Sequence, residues 1–180
     1  MKGDRVMLFV SAQIIGFVAV GLYLLSYQLK KRTHIVWVTF ISNTFYVLQY
    51  FLLGALSGAV MDILSTAASF LAAKKHSPSL KKYSKTVSVL SIIAIGVIGC
   101  GIAAVRHSFV ELLSVAGAIL QTIGLWCDDE QTLRKFGLCS APFWLVYNFV
   151  SKAYGPSIGS LLAIISIIVS LFRYRKENRN

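Results

Sequence analysis

The residue of this sequence with the clearest chemical potential is Asp62, an acidic side chain inside an otherwise apolar block. A carboxylate in a membrane-spanning helix costs about 2.5–3.5 kcal/mol on insertion scales, so it should face other helices or water. Ser65, Thr66 and Ser69 follow at helical spacing and extend a polar stripe from it. The pattern indicates a site for a solute, a proton or a cation. The alternative is a structural carboxyl group that bonds to a neighbouring amide or lies near the outer interface.

Two other segments place amide groups beside aromatic rings, a combination that binds flat polar molecules by stacking and hydrogen bonding. It suits a sugar, a nucleoside or a ring-bearing vitamin. The predicted substrate-binding residues are Asn43, Tyr46, Gln49, Asp62, Trp144, Tyr147 and Asn148. Asp62 is also the residue predicted for proton or cation coupling, with Asn43 or Gln49 as its partner if it is structural. Aromatic residues near helix ends can instead form an interfacial belt, to which we assign Tyr50, and asparagines can join helices.

The sequence lacks the residue patterns of an enzyme or a metal centre. The histidines lie at the edges of apolar blocks and are His34, His76 and His107. None of them is paired with a nucleophile as a catalytic base would be. The cysteines have no metal-type spacing and are interpreted as small buried hydrophobes, and they are Cys100, Cys127 and Cys139. We therefore expect no enzymatic activity, no cofactor and no metal.

The apolar residues of the 180-residue chain are grouped in blocks long enough to cross a bilayer. Hydrophobic residues make up 56% of the chain and charged residues 14%, with a mean hydropathy of +0.69. A crossing takes about 20 apolar residues, and a backbone in lipid must satisfy its own hydrogen bonds, so each block should be a helix. The predicted membrane helices are 6–28, 34–53, 58–73, 86–105, 109–127, 133–153 and 157–172. Pro78 is expected to break any helix in the polar segment 74–85.

The basic residues flank these blocks and are distributed unequally between the two sides. Seven crossings place fourteen of the 18 Lys and Arg residues on the side of the carboxyl terminus and four on the other. The positive-inside rule predicts a periplasmic amino terminus and a cytoplasmic carboxyl terminus for a multi-pass protein of the cell inner membrane. These flanking positions account for the net charge of +11, so we expect no nucleic-acid partner.

The first and last thirds of the chain share one rhythm of helices and turns. A shift of 98 residues aligns Phe45 with Phe143, and a shift of 101 aligns Gly16 with Gly117. The predicted fold is therefore all-α, with two parallel three-helix repeats, residues 1–73 and 109–180. Residues 74–108 supply a basic loop and a linking helix rich in glycine and alanine. Transporters built from parallel repeats bind their substrate near the midplane between the halves.

Three segments resemble the YgjV family of bacterial inner-membrane proteins. They are Leu-Leu-Gly-Ala at 52–55 followed by Gly58, Pro-Phe-Trp-Leu-Val-Tyr-Asn at 142–148, and Arg173-Tyr174. The layout of three, one and three helices also resembles the superfamily of SWEET sugar transporters, PQ-loop proteins and nicotinamide-nucleoside transporters. That resemblance implies facilitated movement of a small polar solute. The chain has no Pro-Gln pair, so no hinge at such a pair is expected.

The sequence thus predicts a transporter of a small polar solute that works by alternating access between two helical repeats. The alternative is a membrane receptor, sensor or structural protein of the same fold. The expected partners are the lipid bilayer and the solute. The oligomeric state is left open, a homo-oligomer included.

Overall fold

The computed structural model describes residues 2–54, 56–151 and 153–177, and this part of the chain contains eight α-helices and no β-strand. The predicted all-α class is confirmed. Each predicted membrane helix corresponds to one long helix, and the short α4 is an addition. The helices are α1 Lys2–Gln28, α2 Arg32–Leu53, α3 Leu56–Ala73, α4 Pro78–Lys81, α5 Ser84–Arg106, α6 Phe109–Trp126, α7 Glu130–Val150 and α8 Tyr154–Glu177.

The most informative differences from the predicted helix ends concern Pro78 and the last two helices. Pro78 does not break a helix but begins α4, directly after Ser77. A first-turn residue does not need its N–H and proline already has a helical φ, so proline is favoured there. The predicted helix 133–153 corresponds to α7, which ends at Val150. α8 extends to Glu177, so part of the basic tail is helical.

Five helical segments in the described part of the chain are long and apolar enough to cross a membrane. They are Met7–Gln28, Arg32–Leu53, Ser84–Arg106, Phe109–Trp126 and Gly155–Arg173. The apolar segment Gly58–Ala73 of α3 is shorter. α7 has 21 residues but includes Glu130, Arg134 and Lys135 near its beginning. The chain is therefore a multi-pass helical membrane protein, and a crossing by all seven long helices stays a prediction.

Six helices form a closed ring in which each packs against two neighbours. The order around the ring is α1, α2, α3, α6, α7 and α8, and α8 packs back against α1. α5 lies outside the ring against α3 and α6, and it is the least buried of the five candidate spans. The interior of the ring is thus formed by α1 to α3 from one part of the chain and α6 to α8 from another.

Helix ends alternate between two faces of the molecule. One face contains the connections 29–31, 74–83 and 127–129 together with the last residues of α8, and we call it the basic face. The opposite end, here the N-terminal face, contains the start of α1 and the connections that follow α2, α5 and α7. Gly54 ends α2 at the N-terminal face with φ +70°, a left-handed conformation that glycine adopts without strain.

The prediction that the cysteines are buried is wrong. Cys100 and Cys139 are exposed, and Cys127 is partly exposed. The outer surface of the helices is itself apolar, with side chains such as Val97 and Phe149 exposed on it. A thiol behaves as a small hydrophobe, so a surface that faces lipid accepts it as readily as a core does.

Candidate functional site: a polar cavity inside the helical ring

A cavity of about 40 Å³ lies inside the ring of six helices. One water molecule needs about 10–15 Å³ of such space, so the cavity has room for about three waters. Every helix of the ring contributes at least one side chain to its wall. The lining residues are Tyr23, Asn43, Tyr46, Tyr50, Asp62, Gln121, Ala141, Trp144, Asn148 and Ser160.

Asp62 lines this cavity from α3 and is only 6% exposed. The amides suggested as its structural partners do not bond to it. Asn43 Nδ2 donates to Ser69 Oγ at 3.2 Å, and both amide atoms of Gln49 lack a partner. Across the described residues, Asp62 makes no hydrogen bond or ion pair. A buried carboxyl group normally has a partner, so Asp62 is available to a molecule in the cavity.

Aromatic side chains form much of the cavity wall, and Trp144 is the largest. It is 9% exposed, and its ring meets that of Tyr147 edge-on with centroids 5.9 Å apart. The Trp144 Nε1 donor is buried and has no hydrogen-bond partner. A buried N–H without an acceptor costs about 1–3 kcal/mol. The wall thus contains an unpaired donor as well as the unpaired carboxyl group of Asp62.

Two glycines make room for large side chains of the neighbouring helix. A methyl group on Gly117 would lie 3.0 Å from Cδ1 and Nε1 of Trp144, closer than carbon atoms normally approach. A methyl group on Gly16 would overlap the amide of Gln49. The sequence aligns Gly16 with Gly117. We call α1 to α3 and α6 to α8 the two triplets. Each glycine lies on the first helix of its triplet, α1 or α6, and contacts a side chain from the second helix, α2 or α7.

A hydrogen bond closes the cavity toward the N-terminal face. Tyr50 Oη donates to Asn148 Oδ1 at 2.7 Å, across 98 residues of sequence. Asn148 Nδ2 in turn donates to Ser160 Oγ at 3.5 Å. Tyr50 is 3% exposed, so its assignment to an interfacial belt is wrong. The chain Tyr50–Asn148–Ser160 joins α2, α7 and α8.

The structure brings five of the seven predicted binding residues to the cavity wall. They are Asn43, Tyr46, Asp62, Trp144 and Asn148. Gln49 is fully buried against α1 beside Gly16, and Tyr147 packs in an apolar cluster with Met61 and Val115. The side chains of Gln49 and Tyr147 are thus buried beside the cavity rather than placed among its described lining residues.

Sequence reasoning missed four polar lining residues, namely Tyr23, Tyr50, Gln121 and Ser160. One of them had a usable signal, because Asn43, Tyr46 and Tyr50 are spaced on one helix face. Which face of α1 or α8 points inward depends on contacts between distant helices, and those contacts leave little trace in local spacing.

Two buried arginines close the ring at the basic face. Arg32, at the start of α2, donates to the backbone oxygens of Leu125 and Cys127 at the end of α6, and to that of Ala72 at the end of α3. It is 6% exposed. The last carbonyls of a helix lack partners within the helix and attract positive charge. Arg32 therefore holds the ends of two other helices.

The second arginine, Arg134 near the start of α7, makes the reciprocal contacts. Its Nη2 donates to the oxygen of Leu29 at 2.7 Å and its Nε to that of Tyr27 at 3.3 Å, both at the end of α1. Arg134 is 1% exposed, so it does not lie among the lipid headgroups as the distribution of basic residues predicts. Arg32 and Arg134, here called the arginine pair, each bind the helix end of the other triplet.

An ion pair adds to this closure. Lys75 Nζ lies 2.6 Å from Asp128 Oδ1 and donates to the oxygen of Trp126 at 2.7 Å. The hydrogen bond from Lys75 lowers the pKa of Asp128. Asp129 caps α7, since its Oδ2 accepts from the Thr132 N–H at 2.6 Å. That carboxylate also accepts from the Thr132 hydroxyl, the main cause of its lowered pKa.

Comparison with known proteins gives a family for the chain but no structural relative. A family model described as Imp-YgjV, bacterial inner membrane protein, matches residues 10–178. The chain is 29% identical over 132 residues to the inner membrane protein YgjV of Escherichia coli (strain K12), a match that covers 72% of this chain and 67% of that protein. No solved structure matches.

Proposed function

Since the chain belongs to the Imp-YgjV family of bacterial inner membrane proteins, we propose that it is a carrier for a small polar solute. The observation on which this rests is the polar and aromatic cavity enclosed by all six helices of the ring. A multi-pass protein needs no such cavity to sit in a bilayer, and buried polar groups in membrane helices usually serve a solute or ion pathway.

The carrier works by rocking one triplet, α1 to α3, against the other, α6 to α8. Two sets of contacts support this division. The triplets touch where α1 packs on α8 and where α3 packs on α6, and a twofold exchange of the triplets interconverts these two interfaces. The arginine pair follows the same exchange, because each member binds the end of the first helix of the other triplet. These relations favour a 3+1+3 membrane protein in which α5 is the linking helix.

Alternating access requires that each face of the cavity can open while the other stays closed. At the N-terminal face the closing contact is the Tyr50–Asn148 hydrogen bond. At the basic face it is the arginine pair with Lys75. We assign the N-terminal face to the periplasm and the basic face to the cytoplasm, because most basic residues flank the latter. The solute passes to one side or the other when the corresponding set of contacts breaks.

Counterflow in proteoliposomes tests the carrier function. Proteoliposomes that contain the purified protein are filled with an unlabelled solute, and uptake of the same solute in labelled form is measured. Sugars, nucleosides, vitamins and small amines are tested in turn. At least one class should be exchanged. Trp144→Ala should abolish that exchange, whereas Trp37→Ala should not, because Trp37 packs against Phe40 and Phe70 away from the cavity. Binding of a solute without counterflow would favour the receptor alternative.

A further inference from the structure

The described cavity wall contains an acidic side chain but no basic one. Asp62 is the carboxyl group among the described lining residues, and no lysine, arginine or histidine of the described chain stands beside it in that wall. The described buried cations are at the basic face. There Arg32, Arg134 and Lys75 are engaged with backbone oxygens of helix ends. An ionised Asp62 therefore has no counter-charge from the described protein.

An ionised carboxylate removed from water without a counter-charge is costly. Asp62 is 6% exposed and makes no hydrogen bond with the described residues. The cavity beside it thus favours a molecule that brings its own positive charge and an N–H or O–H donor. A neutral sugar would supply the donor but not the charge.

The rest of the wall favours the same class of molecule. The aromatic rings of Tyr46, Tyr50 and Trp144 line the cavity, and the negative faces of such rings attract cations within about 6 Å. The unpaired Trp144 N–H requires an acceptor. A suitable molecule therefore has a positive donor at one end and a neutral acceptor, such as a hydroxyl or carbonyl oxygen, at the other.

We propose that the solute is a small protonated amine that carries one such acceptor, with its ammonium group on Asp62 and its acceptor on Trp144. The inference rests on the proposed function, because it concerns the same cavity. The volume of about 40 Å³ sets the size. Space for about three waters accommodates an amine of about four non-hydrogen atoms with little expansion, and ethanolamine is a suitable probe.

Calorimetric titration of the purified full-length protein in nanodiscs tests the charge requirement. Ethanolamine is compared with ethylene glycol, which has the same size and no charge, and with glycolate, which is negative. Ethanolamine should bind, and the other two should bind at least roughly tenfold more weakly, the factor that corresponds to one hydrogen bond of a charged donor. Equal binding of ethanolamine and ethylene glycol, or no binding of ethanolamine, overturns the proposal.

Asp62→Asn keeps the shape of the side chain and removes its charge. It should weaken ethanolamine binding roughly tenfold to a hundredfold and leave the affinity for ethylene glycol unchanged. Asp129→Asn is the matched control, because Asp129 is an exposed carboxylate outside the cavity wall and asparagine caps a helix as well as aspartate, and it should retain ethanolamine binding. Unchanged ethanolamine affinity in Asp62→Asn overturns the proposal. If that variant does not fold, the comparison of the three probes on the unaltered protein still decides.

The two proposals fail in different ways. Binding of ethanolamine that depends on Asp62, without counterflow in proteoliposomes, supports the amine site and refutes the carrier. Counterflow of a neutral solute that is unaffected by Asp62→Asn supports the carrier and refutes the amine site. A third result is that the parent does not bind ethanolamine and that its melting temperature depends on pH, whereas that of Asp62→Asn does not. This result makes Asp62 a proton site and also refutes the amine site.

Discussion

Replacing Arg32 with methionine should open the basic face, because methionine keeps a long side chain but removes every donor that reaches Ala72, Leu125 and Cys127. A hydrogen bond from a charged donor contributes about 1.5–3 kcal/mol. These acceptors lie at helix ends and can bind water once the face opens, so about 1 kcal/mol for each bond is the appropriate figure. Only the bonds to Leu125 and Cys127 cross between the two groups of three helices and break on opening, so their total of about 2 kcal/mol shifts the ratio of closed to open molecules roughly thirtyfold.

A single cysteine in the cavity wall measures this shift. Ala141 lines the cavity and is 2% exposed, so Ala141→Cys, with the three native cysteines replaced by serine, reports access from either side. Two preparations of sealed vesicles, one right-side-out and one inside-out, are treated separately with a maleimide that cannot cross the membrane. While the closed form predominates, the labelling rate is proportional to the open fraction. Arg32→Met should raise that rate roughly thirtyfold from the side of the basic face and leave it unchanged from the other side.

Arg106→Met is the matched control, since Arg106 lies at the N-terminal face and its Nη1 is 3.2 Å from Glu111 Oε1. It should not change labelling from the basic side. An unchanged labelling rate in folded Arg32→Met would show that Arg32 does not control opening. An equal rise from both sides would mean general loosening of the ring, and either result would refute the reasoning.

Three further predictions concern stability, measured by thermal unfolding in detergent. Gly16→Ala should destabilise the protein by about 1–3 kcal/mol because its methyl group overlaps Gln49, whereas Gly21→Ala, with no atom within 4 Å of the added carbon, should not; equal melting temperatures would contradict the packing argument. Gly54→Ala should cost about 1 kcal/mol, since alanine disfavours the φ of +70° at that position, and no loss would show that the turn adapts. Asp129→Ala should cost about 1 kcal/mol through loss of the cap. The lowered pKa of Asp129 means that the cap contributes above the ordinary carboxyl pKa of about 3.9 and is lost as the pH falls through the lowered value, so a difference between variant and parent that persists at lower pH would contradict its role.

The helices and the family could be predicted from the sequence because both depend on local pattern. Each block of apolar residues is a helix for the reason that a lipid-exposed backbone has no other way to satisfy its hydrogen bonds. The family indicated by the segments around Gly54 and Trp144 is confirmed by the match over residues 10–178. The number of crossings is harder to predict. In α7 the charged residues Arg134 and Lys135 lower the apolar character of a helix that is otherwise long enough.

The cavity was only partly predictable, because helix spacing gives a face but not what that face meets. Asn43, Tyr46 and Tyr50 share one face, yet the burial of Tyr50 depends on Asn148, which lies 98 residues away. Arg134 shows the same difficulty more strongly. Counting basic residues for orientation treats each as a loop charge in contact with headgroups, and the count cannot reveal that this one binds carbonyl oxygens of another helix.

The arginine pair has a consequence for how the protein is made. Arg32 finds an acceptor at Cys127, which lies 95 residues further along the chain. At synthesis rates of about 5–20 residues per second, α2 waits on the order of 5–20 seconds before that acceptor leaves the ribosome. During this interval the guanidinium group can remain at the lipid headgroups, since long basic side chains extend toward the interface. The basic face of the ring is thus completed only after α7 has been inserted, and a ribosome that stalls before Leu125 and Cys127 have emerged leaves an unfinished bundle with Arg32 still at the lipid headgroups.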